Sequence, residues 1–307
     1  MTAVRTRKPA KYWREYISIS PFFVLFACFG LIPLAFALYL STQSWDGIGT
    51  PKFVGLAQWE KLFTSGTFWY AAGNTVVIFA LGQIPVVIGA LIGAVLLSRP
   101  RLRGRGFYQT ALFLPQVTSL VVVAVVFQAV FSTQFGVVND IFHALGLPRI
   151  GFLDSGWGVR AVIAMMIIWR GLGYFLIVFM AGLASIDQGM YESARIDGAG
   201  AGRILWSITL PLLRPTVIFV GLTGTISGLQ LFTEPQLLFA GQSGPDQGGL
   251  TMLLLQYQYL GGPGMATISS PVPTDLGYGS VIGWATFLLL LIIAFVCFRF
   301  LKRPEES

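Results

Sequence analysis

Charge is what this sequence has least of. Only 11% of its 307 residues are Asp, Glu, Lys or Arg, against 55% hydrophobic, and the mean hydropathy is +0.73. A soluble globular domain carries about 25% charged residues, so the bulk of this chain is not built for water. Histidine is nearly absent too. The single His143 falls in a loop with no H-E-x-x-H pattern and no cysteine nearby, and a metal or general-base role needs partners that the local sequence lacks. Cys28 and Cys297 sit in the first and last apolar runs, so they form no disulfide framework and read as small apolar fillers. No G-x-x-x-x-G-K-[ST] occurs, which excludes a Walker A nucleotide cradle on this chain, and "GAGAG" at Gly198–Gly202 is not G-x-G-x-x-G. No catalytic residue types cluster at one depth of the apolar runs, so an enzyme acting alone is not expected.

What is there is apolar length. A spanning helix needs roughly 20 apolar residues. Six segments qualify, at about 18–41, 68–97, 107–131, 159–185, 215–240 and 279–301. Together they predict an all-α integral membrane protein with one transmembrane domain over 1–307, immersed in the lipid bilayer. Pro33, Pro85 and Pro115 predict kinks or tilts in the first three spans. Gly89 with Gly93, and Gly224 with Gly228, place small residues four apart and predict close helix packing. The first run is longer than a signal-peptide core and lacks an A-x-A site, so it reads as an uncleaved span.

The basic residues fix the orientation. Five stand in the N-terminal tail (Arg5, Arg7, Lys8, Lys11, Arg14) and four in "SRPRLRGRG" (Arg99, Arg101, Arg103, Arg105). Arg195, Arg203 and Arg214 follow in the loop 186–214, and Arg299, Lys302 and Arg303 at the C-terminal end. With six spans these fifteen of the twenty basic residues share one side, which predicts that both termini and the 186–214 loop are cytoplasmic. Lys52, Lys61, Arg149 and Arg160 are left to the outer loops. The net charge of +7 is therefore a topology signal, and no nucleic-acid partner is expected. The outer loops, about 42–67, 132–158 and 241–278, are too short for domains, and the third is rich in Gly, Pro and Ser and expected to hold little structure.

The loop "YESARIDGAGAGRILWSITLPLLRP", Tyr191 to Pro215, is the polar interruption that needs a reason. "MYESARID" predicts a short helix with Glu192 in its first turns, where the helix dipole favours negative charge. Gly198, Gly200 and Gly202 then break it. "RILWSITL" forms a second amphipathic piece with Ile204, Leu205, Ile208 and Leu210, and Pro211 and Pro215 interrupt the entry to the fifth span. The alternative, an interfacial hairpin on lipid headgroups, would carry more cations and fewer small residues.

The spacing of Glu192, Ala194, Gly198, Ile208, Leu210 and Pro211 resembles the E-A-A---G---------I-x-L-P loop of binding-protein-dependent ABC importer permeases. The fuller stretch is similar to that loop in the carbohydrate permeases, the group of the maltose and glycerol-phosphate transporters. "FVGLAQWEKLF", "GNTVVIFALGQIPVVIGALIGAVLL", "FLPQVTSLVVVAVVFQAVF", "LFTEPQLLFAG" and "DLGYGSVIGWATFLLLLIIAFVCFRF" extend the likeness over nearly the whole chain. Ser193 replaces the usual second alanine, Asp187-Gln188 stands where a proline is common, and the outer loop around Gly261–Asp275 looks long for the family.

The resemblance implies the MetI-like permease fold and a bacterial cytoplasmic-membrane location. It implies a second homologous permease subunit, two ATPase subunits and an extracytoplasmic solute-binding protein as partners. ATP and Mg would bind the ATPase, with no cofactor on this chain. The loop would be the coupling helix: Glu192 contacting the ATPase, Ser193 and Ala194 allowing close approach, Gly198 making the turn, with Asp197, Ile208, Leu210 and Pro211 completing the site. ATP binding would then drive alternating access for a carbohydrate, with a glycerol-phosphate ester or a stand-alone channel as the alternatives.

Two ionisable residues lie inside spans, where each costs roughly 2.5–3.5 kcal/mol on insertion scales. Arg170 is near mid-depth of the fourth and Glu234 in the outer third of the fifth, an axial offset on the order of 8 Å at 1.5 Å per residue. They read either as an ion pair locking two helices or as part of the substrate pathway. Trp169, Tyr174, Gln230 and Gln236 would add the stacking faces and amides that sugars need.

Overall fold

The computed structural model describes residues 13–98, 102–261 and 272–301. Arg5, Arg7, Lys8, Lys11, Arg99, Arg101, Lys302, Arg303 and the run 262–271 lie outside the described residues, as do the side chains of Arg14 and Cys297. Among the described residues, the regular structure is helical apart from one short hairpin. It opens with α1 (Trp13–Phe26) and α2 (Ile32–Leu40), joined through a π-helical turn at Ala27–Leu31. A two-stranded hairpin follows, β1 (Gln43–Ser44) antiparallel to β2 (Lys52–Phe53), then α3 (Ala57–Thr64) and α4 (Gly66–Leu97). Next come α5 (Arg105–Val117), α6 (Leu120–Val130), α7 (Val137–Ala144) and α8 (Gly156–Ala184). A hairpin of α9 (Gln188–Ile196), α10 (Ala201–Ile204) and α11 (Leu210–Leu212) leads into α12 (Arg214–Leu229) and α13 (Thr233–Leu238). The chain ends with α14 (Met252–Tyr259) and α15 (Leu276–Leu301).

Among the described residues, four helical stretches are long and apolar enough to cross a membrane without interruption: Tyr16–Leu40, α4, α8 and Leu276–Val296. Two bent pairs bring the number to six if each is one span. These are α5 with α6, at 96°, and Ala201–Leu212 with α12, at 70°.

The prolines act in three ways. Helix α4 runs through Pro85 unbroken. Before Pro33, the π turn inserts one extra residue, the usual way a helix absorbs a lost hydrogen bond. The third expected span is not one helix through Pro115: it breaks just beyond, where Thr118 and Ser119 are extended. The fifth stops at Leu229 rather than running to 240. Pro235 has no N–H for the Leu231 carbonyl four residues back and would clash with it. The buried Thr251 hydroxyl takes that carbonyl instead, at 2.7 Å, and also accepts the Leu254 N–H that starts α14.

Helices α4 and α8 form the central seam. Gly89 and Gly93 of α4 lie against Leu172 and Leu176 of α8; a methyl on Gly93 would come within 2.8 Å of Leu176 Cδ1. On another side of α4, Gln83 and Phe79 insert where Gly224 and Gly228 of α12 leave room. Small residues four apart thus set backbone approach on both sides. Val86, Ala90 and Ala94 are fully buried with Leu176, Phe179 and Val220 in that seam.

The stretch 241–261 is not the unstructured loop that its glycines imply. Leu250, Met252 and Leu255 are buried with Leu62, Phe68 and Tyr278 in a second core, so α14 is packed into the end of the bundle. Lys61 pairs with Asp275 at 3.3 Å and lies over the Tyr278 ring, tying α3 to the start of α15.

Candidate functional site

The hairpin between α8 and α12 is built by its caps. Asp187 is the N-cap of α9, its carboxylate accepting the Gly189 N–H at 3.2 Å. Glu192 is therefore one turn further in than expected, and Asp187 is the acidic group at the positive end of the dipole. At the other end Gly198 has φ +77°, the left-handed region that glycine enters without penalty. Its N–H donates to the Arg195 carbonyl at 3.1 Å, and Ala199 N–H to the Ala194 carbonyl at 2.9 Å. That pair of bonds is a Schellman C-cap. Gly200 is the N-cap of α10, whereas Gly202 lies inside it and breaks nothing. Residues Leu205–Thr209 then wind as a π turn before Leu210 and Pro211 in α11.

Glu192, Ser193, Asp197 and Gly198 are exposed; Ile208 and Leu210 are half-buried and Pro211 is exposed. Ala194 is not on the outward face, being buried at 8% exposure. One helical position separates it from Ser193, a rotation of about 100°, so Ser193 points outward and Ala194 inward. Sequence reasoning missed the apolar part of the surface. Ile196, beside the acidic Glu192 and Asp197 in α9 and its cap, is 86% exposed, and Trp206 on the second limb is 73% exposed. Exposed apolar side chains rimmed by charge on a rigid turn are the composition of a protein contact. Behind the hairpin lies a cavity of about 570 Å³, lined by Tyr191, Glu192 and Arg195 with Arg105 and Ser98.

The second group lies within the helices. Arg170 Nη1 is 3.7 Å from Glu234 Oε1, so the middle of α8 and the first turn of α13 meet as an ion pair. The break before α13 frees Glu234 from the line of α12. The two side chains are 32% and 15% exposed, and Arg170 Nε is buried with no hydrogen-bond partner among the described residues. Trp169 is 46% exposed while its ring lies 6.0 Å from Phe127 of α6. Tyr174 shares the Arg170 face of α8, four residues on, and is exposed. Gln230 is exposed in the break and Gln236 half-buried in α13. Among the described residues, no hydrogen bond or ring contact joins Tyr174, Gln230 or Gln236 to the pair.

Arg160 is a correction. The charge count leaves it in an outer loop, yet it lies in the second turn of α8 and is only 8% exposed. Its Nε donates to Asn74 Oδ1 and its Nη2 to the Tyr70 hydroxyl, both at 2.8 Å, with Trp157 stacked on the guanidinium. Asn74 in turn donates to the Gln247 and Leu250 carbonyls, and Tyr70 to the Asp246 carbonyl. This network fastens the 240–250 turn, where Ala240, Asp246 and Gln247 all have φ near +50°. Each such residue costs about 1–2 kcal/mol, so the turn needs the fastening. Replacing Arg160 with methionine is expected to lower stability by about 3 kcal/mol, since hydrogen bonds to charged groups contribute about 1.5–3 kcal/mol each. Thermal unfolding in detergent and protease nicking between 240 and 250 would show it; an unchanged melting temperature would contradict it.

Comparison with known proteins gives one consistent picture. The family model described as "Binding-protein-dependent transport system inner membrane component" matches residues 85–303. The lactose transport system permease protein of Rhizobium radiobacter is 32% identical over 286 residues, covering 92% of this chain and 92% of that protein. The arabinooligosaccharides transport system permease protein of Halalkalibacterium halodurans is 30% identical, over 95% of this chain and 91% of its own. The trehalose/maltose transport system permease protein of Thermococcus litoralis is 28% identical over 92% and 91%. Among solved structures, a chain of a bacterial ABC transporter involved in import of the acidic polysaccharide alginate superposes with a TM-score of 0.80. That likeness, at 24% identity over 97% of this chain and 98% of the other, is one of fold.

Proposed function

This chain belongs to the binding-protein-dependent transport system inner membrane components, and from that premise we propose that it is the permease subunit of an ATP-driven importer for a neutral di- or oligosaccharide. The observation that carries the reading is the 187–212 hairpin. A capped, rigid turn presents Glu192, Ser193, Ile196 and Asp197 outward from the end of α8, directly ahead of α12 and the bent α13. Pushing on that turn moves the helices that bear Arg170 and Glu234.

In this reading the hairpin and both termini face the cytoplasm, and the hairpin docks in a cleft of a separate ATPase subunit. Glu192 supplies the charged contact, and Ile196 with Ser193 the close one. Two ATPases drawn together by ATP would rock this chain against a second permease, exposing the pathway to a solute-binding protein outside. Hydrolysis resets them. The chain itself performs no catalysis.

Trp169, Tyr174 and Gln230 give the pathway a ring face and an amide, with Gln236 beyond, and the Arg170–Glu234 pair braces it. Because Glu234 faces Arg170, the pathway has no net positive charge at that level. A neutral sugar suits it better than a glycerol-phosphate ester, and the three permease relatives named for lactose, arabinooligosaccharides and trehalose/maltose lean the same way.

The test is uptake into proteoliposomes holding the whole transporter, with ATP sealed on the hairpin side and the solute-binding protein on the other. ATP-dependent accumulation of a neutral di- or trisaccharide is expected. Accumulation of glycerol 3-phosphate instead would overturn the carbohydrate reading, and accumulation without ATP would overturn the importer reading.

A further inference from the structure

We propose that the cavity between the ends of α6 and α13 is an outer subsite for one ring of the incoming sugar, above the Arg170–Glu234 level; this rests on the carbohydrate reading. The cavity is an open one of about 430 Å³, lined by Gln128, Ser132, Thr133, Gln134, Asp154 and Phe239, among others. Ligand pockets run from about 300 to 1,000 Å³ and combine an apolar wall with a few placed polar groups.

Its polar groups are spoken for on one side and open on the other. The Gln128 amide nitrogen donates to the Leu238 carbonyl, which leaves Oε1 as an acceptor. Thr133 donates to Asp154 Oδ2 at 2.5 Å, leaving Oδ1 of the same carboxylate. Gln134 is exposed, with an amide able to donate and accept, and Phe239 supplies a ring. Acceptors, an amide donor and an aromatic face are what vicinal hydroxyls and the apolar face of a pyranose or furanose require.

The charge pattern selects against anions. Among the described residues, Asp154 is the one ionisable lining group. The nearby Arg149 is spent elsewhere: its guanidinium donates to the Thr133 and Gln134 carbonyls and pairs with Asp140 at 3.1 Å. A carboxylate or phosphate would therefore meet a carboxylate.

The walls are held before any ligand arrives. Asn139, fully buried, donates to the Ser132 and Ile150 carbonyls at 3.2 and 2.9 Å and accepts the Ile150 N–H at 2.8 Å. Together with Arg149 it staples the 132–134 turn to the 149–150 segment. A site fixed in this way loses little on binding to the ordering of its own groups.

The cavity also lies on the route. Gln128 is in the last turn of α6, next to Phe127, whose ring touches Trp169. Leu238 ends α13, four residues past Glu234, about 6 Å at helical rise.

Thiol protection tests this on the complete transporter in nanodiscs, without the solute-binding protein. In a Cys28→Ser, Cys297→Ser background, Gln134→Cys is labelled with a small methanethiosulfonate while lactose, arabinotriose or glycerol 3-phosphate is titrated. The sugar that the wild-type transporter imports is expected to slow labelling about fivefold at roughly four times its Kd, following 1 + [L]/Kd. Glycerol 3-phosphate is expected to leave the rate alone, and Phe239→Ala in the same background to remove the protection. Labelling unchanged by a sugar that is imported would overturn the subsite while leaving the transport function standing. Slowing by sugar-free solute-binding protein alone would make the cavity a protein contact. If wild type imports the phosphate ester and neither sugar, the carbohydrate reading fails and the subsite with it.

Discussion

Gly198→Pro is expected to abolish sugar uptake while leaving the chain inserted and assembled with its partners. Proline is locked near φ −65°, and position 198 sits at φ +77°. The substitution also deletes the Gly198 N–H that donates to the Arg195 carbonyl, so half of the Schellman cap is lost with the turn. Nothing lies within 4 Å of a side chain added there, so the defect is purely one of backbone geometry. Gly198→Ala is the graded control. It fits in space and costs about 1–2 kcal/mol of left-handed strain, so it should keep measurable uptake. Equal loss in both variants would mean that the site needs empty space there and not the turn.

The second large effect concerns Arg170 and Glu234. Arg170→Glu or Glu234→Arg alone sets like charges about where an ion pair now closes at 3.7 Å. Leaving a charge unpaired in a buried pair costs about 3–5 kcal/mol, toward the lower end here because Arg170 is 32% exposed. Each single variant should therefore fall at least about tenfold in uptake, one decade being about 1.4 kcal/mol. The double swap restores opposite charges across the α8–α13 contact and is expected to recover at least about a third of wild-type uptake, because the account gives the pair a bracing role. Uptake lost in both singles and absent from the double would contradict that role and make the two side chains individual substrate contacts.

The helical class and the hairpin were legible in the sequence because both rest on local signals: apolar length, and glycine and proline at fixed offsets. Gly198 could be read as the turn because only its own φ was at issue. The breaks were not legible. That Pro235 would end α12 at Leu229 depends on Thr251 being placed to capture the carbonyl of Leu231, twenty residues before it. Arg160 reads as a loop cation because its acceptors, Asn74 and Tyr70, lie on a different helix. The run 241–261 looks disordered by composition, yet "MLLLQYQY" within it packs into the second core. In the hairpin, spacing located Ala194 but not its direction, and Ile196 drew no notice because one exposed isoleucine is ordinary in sequence. The outer cavity was invisible for a similar reason. Gln128 and Gln134, Asp154, and Phe239 come from three separate stretches and meet only in the folded chain, where the helix breaks between α12 and α13.

In the proposed function this chain transmits ATP hydrolysis in a separate subunit through the 187–212 hairpin. ATP hydrolysis by the purified transporter, with and without sugar-loaded solute-binding protein, measures that transmission directly for wild type and Gly198→Pro. The prediction is that the loaded binding protein stimulates the wild-type complex severalfold and leaves the fully assembled Gly198→Pro complex at its basal rate. Stimulation of the proline variant equal to wild type would contradict the claim.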